Sequence, residues 1–221
     1  MSFDRDGRLA YSSMALAAKG ALVAVLDDRG QEVALLSELV SEEMRVPETF
    51  VEELHQRKLP GFMRNQALPL FTQEGDVWVF LQTEGILQRF GVDGSLLAQA
   101  QLTIPEMRMI EEAFFDWYAT VDARDLLRFF EYVDDAVIMD GSLWLLWNMP
   151  RDQAVLITIH GDDGTIVSRI IVRGIERKSP ENRQAPPRRQ FAIDRNRSRI
   201  YLVDREEMSV MWVSYSSINL P

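Results

Sequence analysis

The chain has 221 residues, of which 47% are hydrophobic, so it can bury a sizeable core as one large domain or two small ones. Its formal net charge of −10 predicts no binding to nucleic acid or to an anionic membrane surface, because phosphate contacts need clustered Lys and Arg. Cysteine is absent, which excludes disulfides, thiolate metal sites and cysteine nucleophiles.

Targeting signals are absent from the sequence as written. No apolar run approaches the length of about 18 residues that suggests a transmembrane helix. Residues 1–6 lack the basic-then-apolar layout of a secretory signal. We therefore expect a soluble chain, and a cytoplasmic one if residue 1 is its natural start.

Four segments share one layout of short apolar runs separated by turn residues. Each segment predicts four strands, called a to d in chain order, because the runs are rich in Val, Ile, Leu and aromatic residues. The segments, called blades here, cover about residues 3–39, 68–102, 136–173 and 190–215. The fourth blade lacks a run for strand d.

The turns and strands within the blades support this layout. Gly30, Gly94 and Gly164 follow polar residues between strands c and d, and glycine supplies the positive φ that a tight hairpin needs. Residues 77–81 and 143–147 are almost continuously apolar, which indicates strands that are covered on both faces, as in stacked sheets. The Trp and Tyr residues are therefore predicted to pack in the core rather than to stack on a ligand.

The succession of a hydrophobic strand, an aspartate-glycine turn and a second strand, as at residues 88–97, resembles the six-bladed β-propeller superfamily of NHL-repeat, TolB-like and lactonase-like proteins. The resemblance implies an all-β, propeller-like array of four-stranded blades forming a single domain, 1–221. It carries no catalytic motif, so it implies a fold and no activity. Four blades instead of six leave three alternatives: a portion of a longer propeller, a four-bladed disc, or an open arc that pairs with a partner.

Inserts at 40–66, 103–135 and 174–189 separate the blades. Pro105 can begin a helix that carries an apolar stripe of Met107, Ile110, Phe114 and Trp117. Asp122 is predicted to cap a second helix that carries Leu126, Leu127, Phe130 and Val133. Residues 47–56 predict a shorter helix.

In a propeller, the d-to-a links and the b-to-c loops emerge on the same side. All three inserts are therefore predicted to lie on one face, where loops on a rigid scaffold usually bind partners. Alternatively, the helices only cover exposed core. The candidate binding residues are Trp117, Tyr118, Asn148, Arg151, Arg188 and Arg189.

Two further groups of residues have a structural and a functional interpretation. His55 and His160 lie in different kinds of segment, so we interpret them as surface residues rather than as one metal or acid–base site. The basic cluster is a solvated loop or a docking patch for an acidic ligand; it comprises Arg173, Arg177, Lys178, Arg183, Arg188 and Arg189.

Two functions then compete. The favoured one is a non-catalytic binding or scaffold propeller, without catalytic residues or cofactor, that engages a protein or peptide partner or self-associates through open blade edges. The alternative is a lactonase-like hydrolase that holds a divalent metal such as calcium in its channel. Its candidate ligands are Asn148, Asp152 and Glu206 or Glu207.

Overall fold

The structure is a computed structural model that describes residues 1–43, 45–46, 48–102, 104–120, 131–149, 155–172, 189–204 and 209–214. These residues form four antiparallel sheets, and the strands of each sheet follow one another in chain order. The chain is therefore an all-β, propeller-like array of blades with helical inserts. It divides into two compact units, Met1–Glu131 (unit 1) and Tyr132–Pro221 (unit 2). That the whole chain is one domain stays a prediction.

Unit 1 contains the first two sheets. Sheet 1 consists of β1 (Ser2–Phe3), β2 (Leu9–Ser12), β3 (Ala21–Leu26) and β4 (Glu32–Glu38), with a 3-10 helix at Met14–Lys19 between β2 and β3. Sheet 2 consists of β5 (Ala67–Phe71), β6 (Val77–Leu81), β7 (Ile86–Phe90) and β8 (Leu96–Gln101). The helices are α1 (Phe50–His55), α2 (Gly61–Arg64) and α3 (Pro105–Thr120).

The two sheets of unit 1 pack against each other through their first strands. Both β1 and β2 contact β5, so the sheets meet as successive blades do. The core between them is mostly aliphatic, and its members include Val23, Val25, Val77 and Val79. Alternate residues of β6 supply this core because side chains alternate between the faces of a strand.

Unit 2 repeats this arrangement. Sheet 3 consists of β9 (Val133–Met139), β10 (Ser142–Trp147), β11 (Val155–His160) and β12 (Ile166–Val172). Sheet 4 consists, in the described residues, of β13 (Arg189–Asp194), β14 (Arg199–Asp204) and β15 (Ser209–Ser214). Strands β9 and β10 contact β13, and Trp144, Leu146, Phe191 and Ile200 are among the residues that pack between the two sheets.

The predicted hairpin glycines have the expected conformation. Gly30, Gly94 and Gly164 take φ values of 79°, 82° and 81° between strands c and d. Immediately before strand b, Gly141 of sheet 3 takes a φ of 70°, whereas Ser198, the last residue of the longer a–b turn of sheet 4, takes a φ of 49°. A serine there adopts a left-handed backbone that glycine adopts without a steric cost.

The prediction of a second helix after α3 is wrong at the last residue of its apolar stripe, Val133. Val133 begins strand β9, where it pairs with Trp147 across an irregularity in the register. Sheet 3 therefore begins three residues before the predicted start of the third blade. The start of this strand was missed because Asp134 and Asp135 lie in it and aspartate is rare in strands. In the structure, Asp135 accepts a hydrogen bond from the Phe191 backbone N–H at 3.0 Å. The other predicted members, Asp122, Leu126, Leu127 and Phe130, lie outside the described residues, as does Pro47.

Within the described part of the chain, no helix combines the length and the apolar character that crossing a membrane requires.

Candidate binding surface of unit 1

Helices α1, α2 and α3 of the two inserts meet the b–c turn at residues 82–85 at one end of sheet 2. We call this end of the sheet the insert end. The Gln82 N–H donates to the Gln66 carbonyl at 2.9 Å, and the Thr83 hydroxyl donates to the Arg64 carbonyl at 2.7 Å. On the other side of the turn, the Leu102 N–H donates to the Gly85 carbonyl at 2.7 Å. These bonds hold the described parts of the inserts at 40–66 and 103–120 at the same end of the sheet, while the third insert, predicted on the same face, lies outside the described residues except for Arg189.

Helix α3 both covers core and presents a surface. It begins at Pro105 as predicted, and Ile110, Phe114, Phe115 and Tyr118 are buried. The predicted stripe is therefore shifted by one position near its end, because Phe115 and Tyr118 are buried while Met107 and Trp117 are half-buried.

Helices α1 and α3 are joined by one arginine. The Arg57 guanidinium lies 2.7 Å from the Asp116 carboxylate and 5.5 Å from the centroid of the Phe115 ring. Leu54 of α1 is buried beside this contact between the two helices. An exposed ion pair contributes little to stability, so the apolar contacts hold the helices together.

The structure brings the predicted residues Trp117 and Tyr118 together. Their rings meet edge to face at 5.8 Å between centroids, and Trp117 also stacks on Phe114 at 6.4 Å. Tyr118 has no exposed surface, and burial raises the pKa of its phenol. It therefore packs in the aromatic cluster, and a binding role for either residue stays a prediction.

A cleft of about 690 Å³ opens between the two sheets of unit 1 and reaches the insert end. Its first wall is β4 with the two residues that follow it, and six consecutive residues, 35–40, line the cleft. Its second wall is the outer part of sheet 2, where Ile86, Gln88 and Phe90 of β7 line it together with Leu96 and Gln99 of β8. Lys19, Arg64 and Glu84 lie at the insert end of the cleft.

Polar groups of the cleft form short chains of hydrogen bonds. The Ser37 hydroxyl donates to Gln88 Oε1, and Gln88 Nε2 donates to Gln99 Oε1 at 2.9 Å. Both basic residues of the lining are paired with carboxylates, since Lys19 contacts Glu32 and Arg64 contacts Glu84, each at 2.6 Å. The cleft therefore offers neutral amide and hydroxyl groups rather than a field of one sign.

Ser37 has a backbone that sequence reasoning missed. Its φ of 59° is left-handed although it lies inside strand β4, and it is only 8% exposed. The strand register passes from the pair Val23–Leu36 to the pair Ala21–Glu38. Serine has no strong preference for this conformation, so the residue type carries no signal of it.

In unit 2, His160 belongs to a buried hydrogen-bond chain. Trp147 Nε1 donates to Thr158 Oγ1 at 2.7 Å, and Thr158 Oγ1 lies 2.9 Å from His160 Nε2. His160 Nδ1 lies 3.4 Å from the Gly164 carbonyl oxygen. A carbonyl only accepts, so this contact assigns the proton to Nδ1 and leaves Nε2 to accept from Thr158.

The interpretation of His160 as a surface residue is therefore wrong, because its side chain is completely buried. Thr158 and His160 lie on one face of β11, whereas Ile157 and Ile159 face sheet 4, and all four are buried. Burial lowers the pKa of His160 and keeps the imidazole neutral. His55 of unit 1 is exposed, as expected, with its ring 6.4 Å from that of Tyr118.

The remaining predicted site residues belong to unit 2. Asn148 is half-buried at the end of β10, where its backbone N–H donates to the Tyr132 carbonyl at 2.9 Å. Arg189 is the first residue of β13, and its side chain is not among the described parts of the structure. Arg151, Arg188 and the rest of the basic cluster lie outside the described residues, as do Asp152, Glu206 and Glu207. Within the described ranges, no three His, Asp or Glu residues converge in a way that could hold a metal ion.

Comparison with known proteins gives structural likeness only. No model of a protein family matches the chain, and no curated protein sequence matches it significantly. A structure of streptogramin B lyase is 12% identical with a TM-score of 0.40, and the match covers 97% of this chain and 53% of that chain. A structure of catalytically inactive virginiamycin B lyase from Staphylococcus aureus with quinupristin is 11% identical with a TM-score of 0.40, covering 98% and 55%.

A third solved structure, a protein of unknown function from Bacteroides caccae, is 10% identical with a TM-score of 0.41, covering 87% of this chain and 55% of that chain. The chain thus spans about half the length of these three structures. Likeness at this level carries no inference about activity. The fold class rests instead on the strand order and on the packing of successive sheets within each unit.

Proposed function

We propose that the chain is a non-catalytic binding module that engages a protein or peptide partner at the insert end of unit 1. The observation that carries the proposal is the position of the two inserts, which the hydrogen bonds of the b–c turn hold against the end of sheet 2. Inserts on a rigid sheet are a common location of binding residues.

The solvent side of α3 presents two residues of types that are common at such surfaces. Arg108 is exposed at 83% of its side chain, and the neighbouring Met109 is also exposed. Methionine adapts its shape to a partner and is enriched at interfaces together with arginine. The polar groups at this end mostly bond to one another, which supports binding more than catalysis.

Site-specific photo-crosslinking tests the proposal. A benzoylphenylalanine placed at Met109 lies at the insert end, and one placed at Val92 lies in the c–d turn at the opposite end of the same sheet. Both positions are exposed, so they react with neighbours equally well. We expect a discrete adduct in cells from position 109 and none from position 92. Equal adducts from both positions, or none from position 109, contradict the proposal.

The hydrolase alternative has no support from the described residues. Of its candidate ligands only Asn148 is described, and its backbone closes the end of sheet 3. A divalent metal site and a catalytic role therefore stay predictions that a metal titration addresses below.

A further inference from the structure

The two walls of the cleft in unit 1 present different parts of their sheets. Strand β4 is the last strand of sheet 1, and among the described residues it pairs with β3 alone. Four consecutive residues of β4, 35–38, line the cleft, so the cleft runs along this last strand of sheet 1. An open edge offers unpaired backbone N–H and C=O groups.

The second wall is the face of sheet 2. Ile86, Gln88 and Phe90 are alternate residues of β7, so their side chains point to the same side of the sheet. A ligand in the cleft therefore lies beside an edge strand on one side and a layer of side chains on the other. An extended peptide has both kinds of group: backbone amides for the edge and alternate side chains for the face.

We propose that the cleft binds an extended peptide of a partner protein, which adds to β4 as a further strand. This inference rests on the proposed function and assigns it a site and a mode of recognition. The peptide has aliphatic side chains at the positions that face sheet 2, because Leu96 of that sheet is 53% exposed in the cleft. Gln88 and Gln99 supply neutral polar contacts.

The charged residues that line the cleft further restrict which peptides fit it. Lys19 and Arg64 are balanced by Glu38 and Glu84 among the residues that line the cleft. A segment without net charge therefore fits better than an acidic or a basic one. A carbohydrate fits less well, because Phe90 is the one aromatic residue in this lining and is only 6% exposed.

Ser37 positions the two walls. Its left-handed backbone interrupts the regular alternation of β4, and its hydroxyl donates to Gln88 on the opposite wall. A non-glycine residue keeps such a conformation only where its surroundings fix it, and such residues cluster at ligand clamps. Ser37 is thus a positioning residue that holds Gln88 at the base of the cleft.

Panning and two matched variants test the inference. A phage library of random peptides of about ten residues, long enough to span the lining part of β4, is panned against the whole chain. Enriched peptides are then titrated against wild type, Leu96→Arg and Leu97→Arg. Leu96 and Leu97 are neighbours with 53% and 54% exposure, but only Leu96 lines the cleft.

We expect Leu96→Arg to weaken binding by about tenfold or more and Leu97→Arg to change it by less than about twofold. N-methylation of alternate peptide residues should abolish binding in one of the two alternating sets and preserve it in the other, because only one set donates to β4. Bound peptide should also slow hydrogen exchange of the amides at residues 35–39.

Several results overturn the inference. Peptides that bind Leu96→Arg normally but lose affinity for Met109→Arg place the partner at the helices; the proposed function then holds and the cleft is not its site. If no peptide is enriched, the cleft inference fails and crosslinking from position 109 decides the proposed function separately. If wild type dimerises and Leu96→Arg is monomeric, the occupant is a second copy of the chain.

Discussion

The two units use the same blade layout with different interiors. The core cluster between sheets 1 and 2 consists of apolar side chains, whereas sheet 3 buries a tryptophan, a threonine and a histidine in one hydrogen-bond chain. Sheet 3 can bury these polar groups because a buried polar group costs little once it has a partner. The blade layout therefore fixes which positions are buried and leaves open whether they are polar.

The largest expected effect on stability comes from removing a buried hydroxyl in unit 2 or adding one in unit 1. Thr158→Val in unit 2 removes the hydroxyl that Trp147 Nε1 and His160 Nε2 contact, and Val79→Thr in unit 1 buries a hydroxyl in an apolar core. Each change should lower the free energy of unfolding by about 1–3 kcal/mol in urea denaturation. Thr158→Ser keeps the hydroxyl and should cost less than Thr158→Val. If Thr158→Val is neutral, the polar chain does not stabilise unit 2.

Lowering the pH should destabilise unit 2 through His160. Burial lowers its pKa in the folded state below the ordinary value of 6.5, so the unfolded chain binds the proton more readily. The contribution of neutral His160 is fully present above pH 6.5 and is lost as pH falls from there through the lower folded pKa. Thermal melting between pH 7.5 and 5 should show this slope in wild type, and His160→Asn should reduce it. His55→Asn, the same substitution at an exposed position of unit 1, is the control variant.

A smaller effect should separate sheet 3 from sheet 4 within unit 2. Ser198→Gly relieves a left-handed backbone and should raise the free energy of unfolding by about 0.5–1 kcal/mol. The reverse change, Gly141→Ser, should destabilise by a similar amount. A side chain at position 141 meets no atom within 4 Å, so that cost comes from the backbone alone. Chemical denaturation of both variants measures the pair, and equal signs contradict the view that a left-handed backbone sets the cost at both positions.

The smallest expected effect concerns metals. Calcium, magnesium, manganese and zinc should each leave the melting temperature unchanged, because a ligand stabilises a protein only if it binds the folded state. A rise that depends on the concentration of one of these ions supports the hydrolase alternative instead. A chelator that reverses the rise distinguishes binding from a general salt effect.

The sequence predicts the strands better than it predicts the surfaces between them. Apolar runs such as 77–81 and glycines such as Gly94 act locally, so they identify strands and turns directly. The burial of His160 depends on what covers the second face of β11, and the cleft depends on how β4 and β7 lie across two sheets. Neither is encoded in a short window. Helix α3 was predictable from Pro105 onward, but its buried side was shifted because the aromatic residues Phe115 and Tyr118 both lie on the same side of the predicted stripe.

Whether unit 1 offers its cleft to another molecule or to a second copy of the chain is tested most directly by the solution mass. Light scattering over a wide range of concentrations should give a constant mass near 25.4 kDa, that of one chain. This result leaves the edge of β4 free for a peptide. A mass that rises toward twice this value with concentration, and that returns to one chain in Leu96→Arg, would show that the edge pairs between copies and would contradict binding of a separate partner there.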